Sequence, residues 1–231
     1  MNILLGTTCM ILMQPWMVVE SPAGEQRFHA ALLDAAAHFK AWGRVDDEMR
    51  WAPYLCRMPN PGQPRPSAST DGATHGQKLY SLFARKRDEY FYLIPAQDVS
   101  VGQMIVKESW VPEEITDPKK KPDKRNIDFN KIIRTPAPEV KPGKKQQEHE
   151  GDHFYPYVWK GDKVYSASKP AGLFIMMKLD PGTEGTDAGW VYGTLTADGK
   201  KVTSAGKVAS CMKCHQEARH DRLFGVGGQE K

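Results

Sequence analysis

Apolar positions alternate rather than spiral over most of this chain. In Lys78 to Ala84, KLYSLFA, residues Leu79, Ser81 and Phe83 fall on one side while Tyr80, Leu82 and Ala84 fall on the other, the period of a strand. A second such segment is VGQMIVKESWV, which puts Lys107 beside Ile105 and Ser109 and sets Met104, Val106, Glu108 and Trp110 on the opposite face. AGLFIMMKL is apolar throughout Leu173 to Met177, as a strand covered on both faces is. AGWVYGTLT and KKVTSAG flank ADGK, where Asp198 and Gly199 suit a tight hairpin turn. Helical spacing is confined to three places. Phe28, Leu32, Ala35, Ala36 and Phe39 define an amphipathic helix near the start, and RKRDEYFYLIPA reads as a short helical turn. VASCMKCHQEARHD, free of Pro and Gly and with Ser210 near its start, predicts a short helix close to the end. The pattern therefore predicts a mainly β (α+β) domain: an antiparallel sheet with an N-terminal helix and a short C-terminal helix.

Between these segments the composition marks the connections. Pro53 to Gly76 is rich in Pro, Gly, Ser and Asn and predicts an irregular connection separating the first helix from the main body. Residues 112–150 are dense in Pro and in charges of both signs and predict a solvated insertion, with FNKII as its apolar anchor. The first 23 residues carry a short apolar run followed by SPA, the pattern of an export signal, although no Lys or Arg precedes the run and Gln14 and Pro15 interrupt it. The expected organisation is thus a signal over 1–23, a helix and connection over 24–75, and a main domain over 76–231. The mature protein is expected in the periplasm or otherwise exported. The 231 residues suffice for one domain able to enclose a prosthetic group. A net charge of +4, not gathered on one helix, argues against nucleic-acid binding.

Four cysteines are present, and two of them, Cys211 and Cys214, form C-x-x-C-H with His215. Two thiols three positions apart suit addition across the two vinyl groups of a haem, with the following imidazole on the iron, so the motif predicts covalent haem c attachment. A structural zinc site needs a second ligand pair, which the chain lacks at that spacing. A dithiol redox motif would follow an early strand in an alternating β and α pattern, whereas this one sits near the end of a strand-rich chain. Cys9 falls in the expected signal, and Cys56 alone implies no disulfide framework. Lys107 is the second unusual feature, a cation inside an apolar strand. Its plain explanation is a solvent-facing position, or a stem lying over apolar surface with the ammonium in water.

With these segments in view, the chain resembles the cytochrome P-460 and cytochrome c-prime-beta group of β-sheet monohaem proteins. VGQMIVKES looks like the group's strand with a V-K-E core, GWVYGTLTADGKKV like the hairpin leading into the motif, and GKVASCMKCHQEARHDRLFG like its haem-binding end. The likeness extends over about Gly76 to Gly225 apart from the charged insertion. It implies haem c bound through Cys211 and Cys214 with His215 as iron ligand. In P-460 members a lysine at the position of Lys107 is bonded to the porphyrin, and the open face of the iron oxidises hydroxylamine to nitric or nitrous oxide. The c-prime-beta members keep an ordinary haem and bind nitric oxide or similar gases.

The resemblance also implies roles for Asp221, which matches an acidic position after the motif, and for Lys78, which stands where some members carry a distal arginine. A lysine does not reproduce the planar donor fork of arginine, which counts against hydroxylamine oxidation. Removal of protons from hydroxylamine calls for a base, for which Glu108, Glu217 and Asp221 are candidates, Glu217 being read chiefly as solvating the motif helix. The implied partners are a small nitrogen-containing substrate or gas ligand and a soluble redox partner such as a cytochrome c, and members of the group commonly pair as homodimers. A simple electron carrier remains the alternative, its iron closed by Met104, Met176 or Met177.

Overall fold

The computed structural model of the chain describes residues 23–51, 56–69, 76–136 and 151–225. The expected signal segment lies outside the described residues apart from its last position, as do 137–150 of the expected insertion. Two short helices, α1 (Ala23–Gln26) and α2 (His29–His38), open the described chain, and α2 runs on as a 3-10 turn over Phe39–Trp42. A third helix, α3 (Glu48–Trp51), precedes the strands β1 (Arg65–Pro66) and β2 (Leu79–Ala84), and α4 (Arg87–Phe91) follows. Next come β3 (Met104–Glu114), a 3-10 turn at Phe129–Lys131, β4 (Ile133–Thr135), β5 (Asp152–Phe154) and β6 (Tyr157–Lys160). The chain ends in β7 (Lys163–Lys178), β8 (Trp190–Leu195), β9 (Val202–Gly206) and the helix α5 (Ala209–His215).

Seven of the strands form one antiparallel sheet in the order β1-β2-β3-β7-β8-β9, with β6 paired to the early part of β7, and β4 with β5 makes a separate two-stranded ladder. The protein is therefore mainly β, as the alternation predicts. The apolar run read as one short strand is the second half of β7, a 16-residue strand that extends back through Pro170. Two register shifts in β3, at Ser109/Trp110 and Val111/Glu113, accommodate that passage.

Each face of the sheet carries its own core. On one, α2 lays Phe28, Leu32, Ala35 and Phe39 against Phe83, Met104, Val106, Leu173, Ile175, Met177, Val191 and Leu195. The irregular connection thus does not hold the helix apart from the main body, because the helix's apolar stripe is buried only on the sheet. The approach is close enough that Gly193 is required: a Cβ there would sit 2.6 Å from Leu32 Cδ2. On the other face Ile105, Met176, Trp190, Tyr192 and Leu223 are buried, with Leu82, Val208, Cys211 and Met212 packed at their margin.

The insertion is more structured than its composition suggests. Ile133 to Thr135, largely exposed, pair with Asp152 to Phe154, all three buried, so a backbone ladder ties this part of the insertion to a covered strand. FNKII does not act as an apolar anchor, since Phe129 and Ile133 stay 40% and 54% exposed. The β8–β9 hairpin closes through Thr196 to Lys201, with Gly199 at φ +69°, the left-handed geometry expected of ADGK. The motif helix starts from Val208, which makes no side-chain cap, so Ser210 lies inside the first turn rather than capping it.

Candidate functional site

Strand alternation decides which candidates meet. Leu82 on β2, Ile105 on β3, Met176 on β7 and Tyr192 on β8 all join the core that α5 covers, and Lys107 shares its strand face with Ile105. Lys107 stands in register with Leu82 and Phe174, which belong to the same face. The opposite side of these strands is closed by α2. On the α5 side Tyr80, Leu82, Lys107 and Phe174 remain half-buried, whereas Phe83, Val106, Leu173 and Ile175 behind them are fully covered. The sheet therefore presents an apolar strip beside the motif helix. A cavity of about 320 Å³ continues from it, lined by Lys78, Phe174, Thr194, Ser204, Ser210 and Cys211 among others.

Lys107 does not reach bulk water freely. Its Nζ sits 4.1 Å from the centre of the Tyr80 ring, and Lys78 holds its own Nζ 5.2 Å from the Phe174 ring. Burial, reinforced by the charge of Lys78, pushes the Lys107 amine down to about 8. Roughly a tenth of the amine is then neutral at pH 7, with a lone pair to offer, against a vanishing fraction for an ordinary lysine.

At the end of α5 His215 donates from Nδ1 to the carbonyl oxygen of Arg222 at 2.7 Å. A carbonyl only accepts, so the proton belongs on Nδ1 and Nε2 keeps its lone pair, the tautomer a metal ligand requires. Burial lowers the imidazole pKa, and the positive charge of Lys107 lowers it further. The hydrogen bond to Arg222 acts the other way and raises it, so the imidazole is lowered by burial first and by Lys107 only as a smaller addition. Tyr192 and Phe224 flank the imidazole, with ring centres 5.6 and 5.2 Å away. Cys211 and Cys214 are free thiols, the first half-buried against the sheet and raised in pKa by that burial, the second exposed.

These residues fit a c-type haem. Two free thiols sit one helical turn apart on α5, a ring nitrogen with an available lone pair follows, and an apolar strip adjoins them. They do not fit structural zinc: among the described residues no three His, Cys, Asp or Glu side chains converge on a metal-sized site.

The candidate acids fall elsewhere. Glu108 points to the helix side of the sheet, where it pairs with Arg44 at 3.1 Å and Lys40 at 3.2 Å, so it does not face the Lys107 strip. Asp221 lies close to the motif but is heavily engaged. Its Oδ2 accepts from Lys178 Nζ at 2.7 Å and from the Val99 amide at 2.9 Å, and its Oδ1 accepts from Trp190 Nε1 at 3.1 Å. Glu217 is exposed just past the helix. Among the sulfur candidates, Met104 and Met177 belong to the core beneath α2, and only Met176 lies in the core on the motif side.

Asp187 is the site residue that sequence reasoning missed. It reads as one polar position in the turn-rich GTEGTDAGW, yet its buried carboxylate collects Arg222, Tyr192 and Gln216. Burial alone would raise its pKa, but these donors, Arg222 first among them, hold it below the usual carboxylate value. The same proximity to Asp187, added to burial, pushes the Tyr192 hydroxyl up. Nothing local to Asp187 signals the role, since Arg222 lies 35 positions downstream. No family model matches this chain, and no curated protein matches it.

Proposed function

We propose that this protein is a c-type monohaem cytochrome whose open haem face handles a small nitrogen-containing ligand, with hydroxylamine oxidation as the leading activity. The observation that carries the reading is the meeting of Lys107, Lys78 and the C-x-x-C-H helix on one half-open apolar face of the sheet. Cys211 and Cys214 would hold the haem by thioether bonds and His215 Nε2 would ligate the iron. When bound, the haem supplies a redox-active iron that accepts electrons from the ligand or binds it reversibly.

The chain contributes the rest. Arg222 holds the Nδ1 proton of His215, and Tyr192 packs beside the ring. Lys107 supplies a partly neutral amine at the strip, at the position where the P-460 type carries a lysine bonded to the macrocycle. Lys78 adds positive charge to the adjoining cavity, where it favours an anionic or strongly dipolar ligand. The expected redox partner is a soluble cytochrome, and the expected setting is the periplasm.

A second reading, reversible binding of nitric oxide or a related gas without turnover, draws support from the acids. Oxidation of hydroxylamine needs a proton acceptor. Asp221 is tied to Lys178, Trp190 and Val99, Asp187 to Arg222, and Glu108 faces away. One experiment separates these possibilities: express the full chain in cells that mature c-type cytochromes, then combine peptide mass spectrometry, absorption spectra of the reduced protein with and without carbon monoxide, and an assay of hydroxylamine oxidation. The expected result is one haem on the CMKCH peptide, carbon monoxide binding, and a haem mass linked to the Lys107 peptide. A haem-free product would overturn the reading. Indifference to carbon monoxide would move it to an electron carrier closed by Met176, and unmodified Lys107 without hydroxylamine turnover would move it to the gas binder.

A further inference from the structure

We propose that Asp187 is the positioning residue for His215, holding the imidazole through Arg222 in the tautomer and orientation that leave Nε2 available to a metal. The carboxylate stands in the turn before β8, where its backbone is fixed by reciprocal bonds with Trp190, each 2.9 Å. It accepts from Arg222 Nε at 3.1 Å and from the second guanidinium nitrogen at 3.2 Å, a two-pronged contact that fixes direction as well as distance. The Tyr192 hydroxyl donates to it at 3.0 Å and the Gln216 amide at 3.4 Å. Each of these three neighbours touches the histidine differently. Arg222 accepts its Nδ1 proton, Tyr192 packs against its ring, and Gln216 follows it in the chain.

The backbone explains why an anchor is needed. Asp221 and Arg222 are consecutive non-glycine residues with φ of +46° and +71°, a conformation that costs about 1–2 kcal/mol per residue. Such a segment persists only where its surroundings hold it. Here two ion pairs do so on either side of one peptide: Asp221 to the buried Lys178, and Arg222 to Asp187. The direction of the Arg222 carbonyl, and with it the proton on Nδ1, follows from that held backbone. Removing the Asp187 charge releases one of the two anchors while leaving His215, both thiols and the Lys178 pair in place.

The consequence for iron ligation rests on the haem reading above, whereas the positioning itself is testable on the chain alone. In the full chain labelled with nitrogen-15 and held in mildly alkaline buffer, long-range proton–nitrogen spectra should show His215 protonated on Nδ1 with slow exchange. Asp187→Asn, which keeps the size and an acceptor for Tyr192, should give mixed tautomers and Nδ1 proton exchange faster by about tenfold or more. Asp187→Glu, which keeps the carboxylate, should recover part of the protection. Should Asp187→Asn fail to fold, Arg222→Lys keeps the charge, removes the two-pronged contact and is read in the same way. A folded variant with the wild-type tautomer and exchange would overturn the proposal, and so would a wild type lacking the Nδ1 proton. In haem-bearing protein Asp187→Asn should lower the iron–histidine stretching frequency and raise the midpoint potential, because the ligand loses the hydrogen bond that increases its basicity. A wild type that carries no haem would sink the functional reading and leave the tautomer result standing.

Discussion

Replacing Lys107 with methionine should stabilise the protein at neutral pH. The amine falls from 10.5 to about 8 on folding, chiefly because burial disfavours the ammonium. At 1.36 kcal/mol per unit this corresponds to about 3 kcal/mol of penalty on the charged form. Partial exposure screens the charge and brings that nearer to about 2 kcal/mol. The Tyr80 face, 4.1 Å from Nζ, returns about 0.5–1 kcal/mol as a cation–π contact that methionine forgoes. The expected net gain for Lys107→Met is therefore about 1 kcal/mol. Its pH dependence has a definite sign. Because the folded pKa lies below the unfolded one, the unfolded chain holds the extra proton between about 8 and 10.5, and wild-type stability rises with pH across that window. Below it the penalty is fully present, and above it wild type and variant should converge. Urea unfolding of both proteins at neutral pH and above pH 10 measures the difference, with the Lys107 peptide first shown by mass to be unmodified. A variant less stable than wild type at neutral pH, or a gap that stays constant with pH, would refute the burial argument. If the mass shows a linked lysine, the amine cannot titrate and the gap should be flat for that reason.

Three other outcomes follow from single contacts. Asp152→Ala breaks one ion pair of the buried Arg44, whose pair with Glu108 stays, and should cost up to about 3–5 kcal/mol in urea unfolding, the loss expected on removing one partner of a buried pair. Gly193→Ala forces a methyl to 2.6 Å from Leu32 Cδ2 and should cost about 1–3 kcal/mol, with Leu32→Ala in the same chain partly relieving the clash. On the proposed haem reading, Cys211→Ser should leave the haem attached at Cys214 alone, seen as a shifted pyridine haemochrome band with the haem still covalently bound.

The parts of this fold that were readable are those decided within a few residues. Alternation over KLYSLFA and MIVKES assigned not only strands but faces, so Lys107 was placed with Ile105 and away from Glu108 before any pairing was known, and the sheet keeps that assignment. The same alternation turns Glu108 away from Lys107, which by itself counts against Glu108 as a base at that strip. What the pattern leaves open is register and strand order, because both depend on contacts between distant segments. The apolar stripe of α2 was visible but not its seat, which needs Gly193 on β8 to admit Leu32. Asp187, Lys178 and Arg222 read as ordinary turn and strand-end polarity, and their meaning comes from ion pairs with residues 35 and 43 positions away. The β3-β7-β8-β9 order does what neither the motif nor the lysine strand does alone. It turns the chain back so that α5, leaving β9, settles on the Lys107 face rather than beneath α2. Met176 falls on that face while Met104 and Met177 do not, by the same count of two. Of the three strand methionines that could close a proposed haem iron, Met176 alone lies on this face, and Met176→Ala is the substitution that tells an iron closed by its sulfur from an open one: it should leave carbon monoxide binding unchanged in an open site and create it in a closed one.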